Sequence, residues 1–100
     1  MDSMPVFAVT YEYSPDSARL GELRPEHRAF LSGLHDAGSV IVSGPLPADD
    51  GGAGGALILI EADDADAVAT LLDTDPFRRE GLIAERTVRD WLPVIGSLGR

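Results

Sequence analysis

Residues 6 to 13 run Val-Phe-Ala-Val-Thr-Tyr-Glu-Tyr, β-branched and aromatic, and predict a first strand. Ser14-Pro15-Asp16 closes it with turn chemistry. The period then changes to that of a helix: His27, Leu31 and Leu34 fall on one stripe, with Phe30 and Ala37 on its flank. This helix is expected from about Pro25 to Ala37. Pro25 suits a first turn, Glu26 complements the positive end of the dipole, and Gly38 suits the position just past the end. Val40-Ile41-Val42 predicts a short second strand stopped by Gly44 and Pro45, and Pro47 to Gly55 reads as a loop with two aspartates and four glycines. Ala56-Leu57-Ile58-Leu59-Ile60 is a third strand, apolar throughout. Asp63 or Asp64 is placed to cap a second helix through about Leu72, whose apolar side is Ala67, Val68, Leu71 and Leu72. Asp75-Pro76-Phe77 opens a further helical turn that Gly81 ends, and residues 83 to 92 predict the last strand, ending near Trp91.

The order is β-α-β-β-α-β. Short, right-handed connections turn it into an α+β, ferredoxin-like sandwich: a four-stranded antiparallel sheet with two helices on one face. Both alternating sets of the first strand are apolar, Val6 and Ala8 against Phe7 and Val9. The third repeats this, Leu57 and Leu59 against Ala56, Ile58 and Ile60. Two helices cover only one side of a sheet, so the other side predicts a homodimer through the open sheet face. No internal repeat or linker suggests a second domain, and residues 1–100 read as one.

Composition narrows the partners. The formal charge is −9 and every basic residue is arginine, so a phosphate backbone or an anionic membrane surface meets net repulsion. No apolar run approaches the roughly 20 residues of a membrane span. The start Met-Asp-Ser-Met-Pro lacks the pattern of a secretory signal, which points to a cytoplasmic protein. With no cysteine, disulfides and thiolate metal sites are excluded.

The leading candidate for chemistry is His27, in the middle of the helix's apolar stripe, where an aliphatic side chain would cost less desolvation. Imidazole is suited to moving protons near neutrality, although buried histidines also serve simply as partners of backbone carbonyls. His35 falls at the stripe's edge, two turns or about 12 Å along the helix, so the two histidines cannot chelate one metal as an i, i+4 pair would. Asp75 reads first as an N-cap, with a carboxylate orienting an imidazole as the second reading, and one residue can do both. Ser43-Gly44-Pro45 either ends a strand or offers a hydroxyl and free amides to a substrate oxygen. The run Gly51-Gly52-Ala53-Gly54-Gly55 does not read as a phosphate loop: it joins two strands, no helix follows, and Asp49 and Asp50 repel phosphate. A mobile hairpin loop is the better account.

In their order and spacing these residues resemble the YCII-related (YciI-like) family of the dimeric α-β barrel superfamily. The resemblance is carried by Arg24 three before His27, Leu31 and Leu34, Gly38, Gly44-Pro45, Asp75-Pro76-Phe77 and Gly81. It implies a pocket between sheet and helices with His27 and Asp75 as catalytic residues. Arg24, Ser43, Gly44, Pro45 and Phe77 would be the neighbours that bind substrate. One branch of the family dehydrochlorinates a chlorinated hydroxyquinol, and many members have no assigned reaction. The glycine- and aspartate-rich loop at 48–55 departs from the family pattern.

Together these readings predict a cofactor-free enzyme, with no metal, acting on a small polar or cyclic metabolite by elimination, isomerisation or dehydrohalogenation. His27 is the expected general acid or base, Asp75 holds its tautomer, and Arg24 pairs with an anionic substrate group. The alternative is a non-catalytic dimer that binds a small molecule or another protein. It would be favoured by an absent His27–Asp75 contact, or by a pocket sealed by Phe30 and Trp91. A metal- and flavin-free monooxygenase shares the fold and would consume oxygen with a quinol substrate.

Overall fold

The computed structural model describes residues 4–48 and 54–99. Four strands, β1 (Val6–Tyr13), β2 (Val40–Leu46), β3 (Gly55–Glu61) and β4 (Ile83–Asp90), form one sheet in the order β2-β3-β1-β4. Every neighbouring pair is antiparallel. Three helices accompany it, α1 (Ser17–Asp36), α2 (Ala65–Leu72) and the single turn α3 (Pro76–Arg79). This is the ferredoxin-like arrangement expected from the element order. The predicted hairpin loop at 49–53 lies outside the described residues.

One set of alternating side chains faces the helices. Phe7, Val9 and Tyr11 of β1 pair with Ile60, Ile58 and Ala56 of β3, and all six are buried. Leu20 and Leu31 of α1, Val68 and Leu72 of α2, and Phe77 of α3 close over them. The other set points away. Val42, Leu46 and Leu57 stand exposed on that opposite face, and Trp91, Leu92, Val94 and Ile95 follow β4 as an exposed apolar tail. Among the described residues no helix is long and apolar enough to cross a membrane.

Two boundaries differ from expectation. The first helix begins at Ser17 rather than near Pro25, because Asp16 caps it by accepting the Arg19 N–H. Leu20 then anchors those early turns in the core. Pro25 therefore sits inside the helix, where one hydrogen bond is forfeited, and burial of the flanking turns outweighs that loss. The second strand does not stop at Gly44 and Pro45 but continues to Leu46. Only β3 borders it, so it is an edge strand, the one setting in a sheet where a proline without a donor is tolerated.

The chain leaves α1 through Gly38 at φ 92, with the Ser39 N–H on the Leu34 carbonyl and the Gly38 N–H on the His35 carbonyl. These paired bonds satisfy the last helical carbonyls and need a left-handed residue, which glycine supplies without strain. The turn delivers the chain directly into Val40, so α1 and β2 lie side by side.

Candidate active site

Asp75 is the organising residue. It caps α3, with its Oδ1 accepting the Phe77 N–H at 2.9 Å, and its side chain is wholly buried. A buried carboxylate needs donors, and two side chains supply more of them. His27 Nδ1 lies 2.9 Å from each carboxylate oxygen, and the Tyr11 hydroxyl donates to Oδ2 at 3.2 Å. The cap and the imidazole contact therefore coexist in one residue.

A carboxylate that already accepts two bonds makes Nδ1 the donor, so the neutral ring carries its lone pair on Nε2. His27 borders a cavity. Nε2 has no partner among the described residues, and no fully enclosed side-chain polar atom there lacks one, so Nε2 opens into the cavity. The ring plane is set by Phe77, stacked at 4.1 Å with only 5° between planes, and Tyr13 packs its edge on Phe77 at 5.3 Å.

The resemblance implies Phe77 as a substrate neighbour. It is fully buried, stacks on the imidazole and is not among the residues lining the cavity. Asp75 is likewise buried and does not line the cavity. Tyr11 was absent from the sequence-based candidates. Its position in register with Phe7 and Val9 puts a polar tip into the core, and such a tip needs a partner. Burial first, then the Asp75 charge, pushes the Tyr11 hydroxyl far above the ordinary tyrosine range. Burial and Asp75 also raise Tyr13, against the opposing pull of Arg24 and Arg28.

The cavity measures about 670 Å³ and lies between α1 and the β2–β3 edge. Its helical wall presents Arg24, His27, Arg28, Leu31, Ser32 and His35. Its other wall is Tyr13, Ala56 and the run from Val40 to Pro45. Of the residues expected to meet a substrate, Arg24, Ser43, Gly44 and Pro45 are here beside His27. Neither Phe30 nor Trp91 seals it. Among the described residues no cluster of three or more histidine, cysteine or acidic side chains could hold a metal.

The model of the YCII-related domain family matches residues 5–92. "Protein YciI" of Escherichia coli O6:H1 is 33% identical over 78 residues, which cover 72% of this chain and 80% of the relative. The protein of the same name from Shigella flexneri matches equally. Among solved structures, the chain is similar to the 5-chloro-2-hydroxyhydroquinone dehydrochlorinase (TftG) of Burkholderia phenoliruptrix AC1100, in complex with 2,5-dihydroxybenzoquinone. The TM-score is 0.72 at 29% identity, covering 87% of this chain and 93% of that one.

Proposed function

The chain belongs to the YCII-related family, and from that membership and the site's geometry we propose that it is a cytoplasmic, cofactor-free acid–base enzyme acting on a small polar or cyclic metabolite. The observation that carries this reading is the His27 imidazole, tied through Nδ1 to a buried carboxylate and open through Nε2 to a cavity. Nε2 takes a proton from the substrate. Asp75 keeps the ring in the tautomer that can do so and stabilises the imidazolium that forms. In an elimination the electrons of the broken C–H bond form a double bond while a leaving group departs with its own pair. The imidazolium then returns its proton to solvent. A dehydrohalogenation is this step with halide leaving, and the similar dehydrochlorinase, found with a dihydroxybenzoquinone, makes a cyclic oxygenated substrate a suitable class to test first.

Two features favour catalysis over a mere binding module: the His27–Asp75 contact is made, and the cavity has no aromatic plug of Phe30 and Trp91. The homodimer is part of the same proposal. Val42, Leu46 and Leu57 form an apolar face that a second copy's sheet would cover.

The test is loss of the substrate's C–H signal in deuterated water, followed by NMR across chlorinated and hydroxylated quinols. Wild type should exchange or eliminate, and His27→Ala should not. A folded His27→Ala with full turnover removes the mechanism.

A further inference from the structure

The cavity's electrostatics run against the molecule's. The chain carries 17 acidic and 8 basic residues, yet the lining includes two arginines and no aspartate or glutamate among the described residues. Arg19, Arg78 and Arg86 are occupied by carboxylates of Glu22, Glu80 and Asp73. Arg24 and Arg28 make no ion pair among the described residues. They stand four residues apart on α1, about 6 Å along its axis, and so flank one stretch of the wall. Both line the same cavity as Tyr13 and His27. Asp75 is committed to Tyr11, His27 and the Phe77 N–H and makes no ion pair with either arginine.

We infer that the cavity selects a small organic carboxylate, its head group held by Arg24 and Arg28 and its apolar body laid over Leu31 and Val40 towards His27. The assignment of His27 as the reacting group rests on the acid–base reading above; the anion site does not. Guanidinium forks match a planar carboxylate in two-point fashion. Phosphate sites usually add backbone N–H groups from a helix N-terminus. Here α1 presents its flank to the cavity rather than its N-terminus at Ser17, and the facing wall is the edge strand β2. The same two charges would stabilise enolate oxygen as a neighbouring C–H loses its proton to Nε2.

The probes are benzoate, its uncharged isostere benzamide, and phenyl phosphate, titrated by NMR against the full chain. The expected result is that benzoate shifts the resonances of His27 and Ser43 and binds more tightly than either other probe. Arg24→Gln and Arg28→Gln should each weaken benzoate roughly tenfold, with little effect on benzamide. Arg28 is exposed and Arg24 half-buried, and neither belongs to the hydrophobic core, so their replacement leaves the core intact. His27→Gln, which removes the base and keeps the arginines, should retain benzoate affinity, so this titration reads the anion site whatever the outcome of the turnover assay. Benzoate binding unchanged in the double arginine variant, benzamide binding as tightly as benzoate, or preference for phenyl phosphate would each overturn the assignment.

Discussion

His27 and Asp75 are 48 residues apart in the chain, yet the imidazole Nδ1 lies 2.9 Å from both oxygens of the carboxylate. One comes from the middle of a long helix and the other from the cap of a single-turn helix. They meet because α1 and α3 pack on the same face of the sheet.

Asp75→Asn keeps the shape and removes the charge. The variant's amide has one oxygen to receive the three donors now gathered there, so the ring should lose its fixed Nδ1–H tautomer. Nitrogen shifts of the His27 ring read this directly. Unfolding in urea should show a loss of about 1–3 kcal/mol, the usual cost of leaving buried hydrogen-bonding groups unpaired. A ring that stays wholly in the Nδ1–H form would mean that Asp75 does not set it.

Tyr11→Phe removes one donor to Asp75 and leaves the ring packed, so a loss of about 0.5–1.5 kcal/mol is expected. Alkaline stability supplies a second readout. The folded state holds the Tyr11 proton to higher pH than the unfolded chain does, because burial and Asp75 raise it. Stability from this group is therefore intact below the ordinary tyrosine range and declines as pH rises above about 10. Tyr13 carries the same sign. Tyr11→Phe should make that decline shallower, and an unchanged slope would show that Tyr11 is not its source.

Gly55 lies against Tyr11. A Cβ there would stand 1.8 Å from the Tyr11 carbonyl oxygen, a rigid backbone atom in the β1–β3 ladder. Gly55→Ala should cost about 3 kcal/mol, the upper range for overpacking. Gly21 in α1 is the opposite case, with nothing within 4 Å of the added atom, and Gly21→Ala should stabilise by about 0.5–1 kcal/mol. Thermal melts of the two variants should move in opposite directions.

Leu57→Glu places a charge on the exposed apolar face without touching the helices. Sedimentation should show a dimer for wild type and a monomer for the variant, with the same helical circular dichroism in both. A wild type that sediments as a monomer at micromolar concentration removes the proposed homodimer.

The strands and the cap at Asp75 were legible in the sequence, and the cap of α2 was narrowed to Asp63 or Asp64, because they rest on local chemistry: β-branched and apolar runs, capping side chains, and proline in a first turn. The start of α1 was not. Ser14-Pro15-Asp16 reads locally as a turn, and only burial of Leu20 by distant strands shows that a helix follows at once. Pro45 likewise looks like a stop until the sheet order makes β2 an edge. Within the site, the helical stripe singled out His27 and the cap motif Asp75, and only the family resemblance paired them; the two neighbours that set their geometry escaped. Tyr11 looked like one more apolar strand residue, and Phe77 like a ligand contact. Which of two aromatic faces meets the imidazole is decided by packing, which periodicity does not encode.

Asp75 starts α3 and holds the imidazole with the same two oxygens. The single-turn helix and the poised ring are therefore one cooperative unit: the chain cannot keep one and discard the other. A change at this position would reduce the amount of folded protein in the cell along with whatever His27 does. Drift towards a new activity has freer ground on the cavity's other wall, where Ser43 is exposed and partners nothing in the core. Inherited diversity in substrate choice should accumulate along that strand, while the pair behind it stays put.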